Sequence, residues 1–256
     1  MKPISELTPD LLSQIKLIAF DSDGVLIQKG TDISQNTNGF YSQQTYPLTA
    51  DIITKLSQLK SRYEIVINSG RNSLYLTQIY QDILWDKVTL ISEIGTFLTG
   101  GGFVVQTEPL DLYELETIKK IRTELFKLVG DSRVEGFEPK QFLTTLHCHE
   151  AVPEVPEIVK QCDPANRFYC WWNEEAYDIH SQKFNKINGL KKLMTLKNLT
   201  SNQVITVGNG INDSDLTVAG MINISTDPAN LQTDDFGVDG EHLGGAKIID
   251  LLLNLV

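Results

Sequence analysis

The chain has 256 residues, room for one large α/β domain or a core with a smaller insert. With 41% hydrophobic and 21% charged residues it has the composition of a folded globular protein and not of a disordered one. Its formal net charge of -11 weighs against wholesale attraction to nucleic acid or to an anionic membrane, so an anionic ligand would have to be met by local positive charge.

In chain order, the N-terminal M-K-P-I-S-E-L-T-P-D has no apolar segment of the signal-peptide kind. A short apolar run follows at 17–20, predicts a buried strand, and leads straight into Asp21 and Asp23. Residues 28–46 are rich in Gln, Asn, Ser and Thr and read as a long loop or flap. Further strands are expected at 64–67, 88–91, 204–207 and 221–224, and helices at 50–60, 72–83, 186–196 and 246–255. The alternation predicts a parallel sheet with helices on both faces. The middle differs: a strong helix over 110–129, strands over 141–149 and 167–180, and a proline-flanked helix at 155–161. The expectation is therefore an α/β, Rossmann-like core of residues 1–82 and 182–256 with an inserted α+β cap domain, 83–181. The Leu-rich tail 248–256 reads as a packed terminal helix, far too short to cross a bilayer, and no other apolar run is long enough. Cys148, Cys162 and Cys170 do not make a disulfide framework, which points to a reducing, cytoplasmic setting.

Three predicted core strands end in polar clusters: Asp21-Ser22-Asp23, Ser69-Gly70-Arg71, and G-N-G-I-N-D from Gly208 to Asp213. Each alone reads as readily as a turn or a helix cap. In an open parallel sheet, however, the ligand site lies at the carboxyl ends of the strands, so all three would meet on one edge. Two carboxylates as close as Asp21 and Asp23 repel unless a cation or a shared proton lies between them. Such a pair suits metal-assisted catalysis.

The set of motifs resembles the haloacid dehalogenase superfamily, in the order that family shows. D-S-D-G-V-L looks like its first motif and N-S-G-R-N like its second, in the S/T-G-R form of its sugar phosphatases. Lys186, in F-N-K-I-N-G-L, stands where the third-motif lysine is expected, with Lys183 as a competitor, and G-N-G-I-N-D looks like the fourth. The resemblance implies a phosphatase in which Asp21 attacks phosphorus, Asp23 serves as acid and base, and Ser69 and Lys186 hold the phosphoryl oxygens. It implies Mg²⁺ on the Asp21 carboxylate, the Asp23 carbonyl and Asp213. It places Gly24, Gly70, Arg71, Asn209 and Asn212 in phosphate or substrate contact, the glycines for close backbone approach and Asn212 orienting Asp213 or Lys186. Two positions depart from the pattern. Asn209 stands where the family usually has Asp, which would lower the site's negative charge and weaken its hold on Mg²⁺. Ile94, in S-E-I-G, replaces an asparagine, with Glu93 and Gly95 taken as structural.

The insert lies between the second and third motifs, where the family's sugar-phosphatase branch carries an αβ cap; relatives with this layout include Cof-like, sucrose-, trehalose- and mannosylphosphoglycerate phosphatases. The run R-V-E-G-F-E-P-K…H-C-H resembles the V-E-x-K…H run of trehalose-phosphate phosphatases and makes Glu135, Lys140 and His147 candidate sugar contacts. A zinc reading of His147-Cys148-His149 is disfavoured, because Cys148 points away from its neighbours on a strand. Of Trp171 and Trp172, one ring is expected in the cap core and one half-exposed. The expected function is Mg²⁺-dependent hydrolysis of a small phosphorylated metabolite, a sugar phosphate, by a monomer or homodimer. The alternatives are a non-catalytic sugar-phosphate-binding protein and a phosphomutase.

Overall fold

The computed structural model describes residues 1–238 and 243–255. In chain order, its strands are β1 (Lys2–Pro3), β2 (Leu17–Phe20), β3 (Thr31–Gln35), β4 (Tyr41–Thr45), β5 (Glu64–Asn68), β6 (Val88–Ser92), β7 (Phe97–Gly100), β8 (Phe103–Gln106), β9 (Val134–Glu138), β10 (Thr144–Cys148), β11 (Phe168–Trp172), β12 (Ala176–Ser181), β13 (Val204–Gly208), β14 (Ile222–Ser225) and β15 (Phe236–Gly237). The helices are α1 (Pro9–Leu12), α2 (Ala50–Leu59), α3 (Ser73–Tyr80), α4 (Leu112–Leu125), α5 (Glu154–Cys162), α6 (Lys186–Leu196) and α7 (Gly245–Leu255). Val256, the last residue of the predicted tail helix, and residues 239–242 lie outside the described residues.

The chain divides into two compact units. The first comprises residues 1–29, 46–107 and 185–256; the second comprises 30–45 and 108–184.

The first unit is built on one sheet, ordered β1-β15-β14-β13-β2-β5-β6-β7-β8 among the described residues. Pairing is parallel from β1 to β6, and β7 and β8 add an antiparallel edge. The strands are apolar on both sides because both sides are covered. Ile18 and Phe20 of β2 pack with α2 and α7 residues such as Leu56, Ile248 and Leu252. Leu17 and Ala19, of opposite parity, pack with Leu190 and Leu193 of α6.

In the second unit, the sheet β11-β12-β10-β9 is antiparallel. One face packs Leu146, Phe168, Tyr177 and Ile179 against Ile118, Ile121 and Leu125 of α4 and Val155 and Val159 of α5. Asp111 and Glu114 close a reciprocal capping box at the start of α4.

The α/β core and α+β insert are as expected, but two boundaries are corrected. Residues 83–107, assigned by sequence to the cap, belong to the first unit, because the hairpin of β7 and β8 extends the core sheet from β6. The polar stretch 28–46 is no bare loop. Its β3–β4 hairpin belongs with the second unit, where Gln35 comes so close to Gly136 of β9 that a Cβ there would lie 2.5 Å from the Gln35 Cβ. The single strand expected over 167–180 is a hairpin, β11 and β12, and β9 went unforeseen. No helix of the described residues is long and apolar enough to cross a membrane.

Candidate active site

The carboxyl ends of β2, β5 and β13 meet, as parallel register requires: Phe20 is level with Ile67 and with Val207. The residue after β2 is Asp21, whose N–H is held by the Val207 carbonyl at 2.9 Å. The next turn is tight, with the N–H groups of Val25, Leu26 and Ile27 all directed at the Ser22 carbonyl. Gly24 turns it at φ +77°. A Cβ there would collide with the Asn209 amide nitrogen, so the turn packs closely against Asn209. A Cβ on Gly70 would meet Ile94 at an ordinary 3.6 Å, so the structure gives Gly70 no comparable steric role.

Lys186 enters from the first residue of α6. Its Nζ lies 2.7 Å from Asp21 Oδ1 and 2.5 Å from Asp213 Oδ1, with all three side chains buried. Lys183 is eliminated as the third-motif lysine: it belongs to the second unit and binds Glu114 at 2.6 Å. Several contacts aim α6. Asn185 caps it through the Asn188 N–H, and Asp215 accepts the Ile187 N–H at 3.1 Å. Asn68 donates to the Lys186 carbonyl at 2.9 Å. The helix also passes close to the turn after β6: a Cβ on Gly189 would lie 2.8 Å from the Gly95 Cα. These positioning residues escaped the sequence reading, and the G-I-N-D-S-D run containing Asp215 was the one signal present.

The same turn braces the second motif. Glu93 N–H bonds the Arg71 carbonyl at 2.9 Å and Ile94 N–H the Ser69 carbonyl at 3.2 Å. Glu93, Ile94 and Gly95 occupy left-handed backbone in succession, at φ +48°, +53° and +85°. For a β-branched residue such as Ile94 this conformation is strained. Buried Ser69 accepts the Arg71 N–H at 3.2 Å, which leaves its hydroxyl proton to donate.

Arg71 meets a carboxylate. Its Nε lies 2.9 Å from Asp23 Oδ2 and its Nη2 2.5 Å from Oδ1, a two-pronged clamp with the guanidinium 5.2 Å from the Tyr75 ring centre. Asn209 donates from Nδ2 to the Asp23 carbonyl at 3.0 Å. Asp213 Oδ2 accepts the N–H groups of Asn209 and Gly210 at 2.9 and 3.2 Å. Asn212 does not take the orienting role assigned to it: its side chain is exposed, and Asp215 anchors α6 instead.

Burial, reinforced by Asp213 and opposed by Lys186, pushes the Asp21 carboxyl up to about 7. Burial works against the Lys186 ammonium, but Asp21 and Asp213 outweigh it and hold its proton more tightly than water does.

Among the described residues no three His, Cys, Asp or Glu side chains gather into a metal cage. The oxygens at hand are the carboxylates of Asp21 and Asp213 and the Asp23 carbonyl. All are hard donors, and an oxygen that accepts one hydrogen bond keeps a second lone pair. Mg²⁺ typically takes one or two carboxylates and keeps several waters, so this donor set fits it.

In the second unit the sheet face turned away from α4 and α5 is polar. Thr145 of β10 stands level with Glu138 of β9 and Asp178 of β12, with His147 two residues on. Lys140 reaches Glu138 at 3.0 Å, Thr145 Oγ1 at 2.7 Å and Asp178 at 3.8 Å, and Thr145 donates to Asp178. His147 Nε2 lies 3.5 Å from Glu138. Glu135 is not in this cluster. It is the residue skipped where the β9–β10 register shifts, and it pairs with His149 at 2.8 Å. The acid beside Lys140 and His147 is therefore Glu138, which the sequence reading passed over. The β9–β10 register shifts between His147 and Cys148, with Glu135 as the extra residue on β9, and His147 and Cys148 are both buried. Trp172 packs against Tyr177 at 4.9 Å between ring centres while Trp171 stays 40% exposed, the division expected.

Residues 131–221 match the family model of haloacid dehalogenase-like hydrolases. No curated protein matches the sequence. Similar solved structures include the C-terminal domain of C. albicans trehalose-6-phosphate phosphatase, at 18% identity, TM-score 0.70, and coverage of 100% of this chain and 99% of that one. Aspergillus fumigatus trehalose-6-phosphate phosphatase is similar at 16% identity and TM-score 0.61, with 100% of both chains covered. A sugar phosphatase of haloacid dehalogenase subclass IIB follows at 13% identity and TM-score 0.63, covering 94% of this chain and 100% of that one. At these identities the structural likeness speaks for the fold.

Proposed function

We propose that this chain is a haloacid dehalogenase-like phosphatase that hydrolyses a small sugar phosphate through an aspartyl-phosphate, a reading supported by the family match over 131–221 and by the shared fold. The observation that carries this reading is the buried Asp21–Lys186–Asp213 cluster at the ends of β2 and β13, with Asp23 two residues from Asp21. An Asp21 oxygen attacks phosphorus as the bond from phosphorus to the leaving oxygen breaks. The Asp23 carboxyl gives its proton to that leaving oxygen, then takes one from the water that attacks the phospho-enzyme and frees Asp21. Lys186 and the Ser69 hydroxyl balance the charge on the phosphoryl oxygens. Mg²⁺, held by Asp21, Asp213 and the Asp23 carbonyl, would supply further neutralisation of that charge.

Arg71 has a role here distinct from phosphate binding: its clamp fixes the Asp23 carboxyl in place. Lys140, Glu138, Asp178 and His147 supply donors and acceptors suited to sugar hydroxyls, and we assign the choice of leaving group to them. The test is phosphate release from an aryl phosphate and from a panel of sugar phosphates, with and without Mg²⁺, for the wild type and Asp21→Asn. Turnover that needs Mg²⁺ and vanishes in the variant supports the reading. Metal-independent release or an active variant rejects it. Binding of a phosphate analogue with no turnover of any substrate would favour the non-catalytic alternative.

A further inference from the structure

We propose that the first unit carries a second anion site, at the end of its sheet opposite Asp21. A cavity of about 450 Å³ opens there, lined by Lys16, Arg62, Lys87 and Lys197 around a single carboxylate, Glu64. Four cations against one acid is a local excess in a chain with 22 Lys and Arg against 33 Asp and Glu. Such an excess within a concave surface focuses positive potential where the rest of the molecule repels anions.

The strand ladder sets the cations in a row. Lys16 leads into β2, Glu64 begins β5, and Lys87 leads into β6, three neighbouring parallel strands. Glu64 donates its N–H to the Lys16 carbonyl at 2.8 Å, and Ile65 donates to the Lys87 carbonyl at 2.7 Å. Lys197, the residue after α6, closes the side by pairing with Glu64 at 2.7 Å. Glu64 thus tethers one of the ammonium groups that line the cavity. The Lys87 ammonium is held by the Ser61 carbonyl at 2.9 Å, so the wall is partly preformed. Lys87 also sits at φ +54°, a conformation in which Gly or Asn is easier, yet the position carries a long cation.

The volume is that of a small-molecule pocket, and the charge calls for more than one negative group. The ligand class is a small polyanion bearing at least two phosphate or carboxylate groups.

The experiment is calorimetric titration with inorganic pyrophosphate at low ionic strength. The proteins compared are the wild type, Lys16→Gln/Lys87→Gln, and a charge-matched control, Lys191→Gln/Lys192→Gln, whose lysines lie exposed on α6. Circular dichroism and aryl-phosphate turnover establish that each variant is folded. The expected result is a pyrophosphate site in the wild type and the control that weakens at least tenfold in Lys16→Gln/Lys87→Gln. Orthophosphate competition separates it from any binding at Asp21, so failure of the catalytic reading would leave this site detectable. Equal binding in all three proteins, equal weakening in the two variants, or a wild type with no site beyond the orthophosphate-sensitive one would overturn the proposal.

Discussion

Each unit of this protein buries a lysine between two carboxylates, and the two clusters are built for different ends. In the first unit Lys186 contacts Asp21 and Asp213 at 2.7 and 2.5 Å, and its partners come from the ends of separate strands. In the second unit Lys140 lies 3.0 Å from Glu138 and 3.8 Å from Asp178, on one sheet face, with the Thr145 hydroxyl bonded to both Lys140 and Asp178. The first arrangement concentrates charge on Asp21, the proposed nucleophile, at the end of a strand. The second spreads hydrogen-bonding groups across a surface. On the proposed function, the difference is between a group placed to react and groups placed to recognise.

The largest expected effect falls on the first cluster. Asp21→Asn removes the nucleophile and should lower phosphate release by on the order of 10⁴-fold or more, measured by single-turnover assay. An aryl phosphatase that survives the change would put the chemistry elsewhere.

Lys186→Met leaves Asp21 and Asp213 buried against each other, and should cost about 3–5 kcal/mol of stability in urea unfolding besides abolishing turnover. Lys140→Met should act differently, raising KM for sugar phosphates by roughly tenfold while leaving kcat for an aryl phosphate near the wild-type value. If both lysine variants lose aryl-phosphate turnover alike, the division of labour between the clusters is wrong.

The raised Asp21 pKa predicts a pH signature. The folded protein keeps a proton on Asp21 up to about 7, whereas the unfolded chain releases it near the ordinary 3.8. The folded state therefore binds the extra proton, and stability falls as pH rises from about 3.8 to about 7, with the full cost present above that range. Urea unfolding at pH 5 and pH 8 should show a drop that is smaller in Asp21→Asn. An unchanged drop in the variant would assign it to other groups.

The smallest effect concerns the brace behind Ser69. Ile94→Asn should stabilise the protein by about 1 kcal/mol by relieving left-handed strain at φ +53°. Thermal unfolding would register this as a higher Tm, and a lower one would mean that the apolar packing of the Ile94 side chain outweighs the strain.

Much of the first unit was legible in the residues. Apolar runs ending in Asp21, Ser69 and Gly208 mark strands buried on both faces, and the strand-to-polar switch marks the edge where a site can form. Lys186 is legible as the residue that opens a helix just ahead of N-G-L. The cap was less legible. Its sheet has one apolar and one polar face, and its pairings join β9, β10 and β12 with differing loop lengths and a register shift at Glu135, so the sequence points to Glu135 where Glu138 sits. Likewise, nothing in G-N-G-I-N-D reveals that Asn209 turns its amide to the Asp23 carbonyl or that Asp215 caps α6, since both partners come from distant segments.

The sequence by itself determined the local periods, the order of the polar clusters and the identity of their reactive groups, because side-chain chemistry and backbone propensity act over a few residues. Only the tertiary structure decided which lysine meets which acid, which unit takes the 30–45 hairpin, and what fills the space above Gly24. Those outcomes depend on strand register and close packing between remote segments, where a shift of one residue reverses the face a side chain presents.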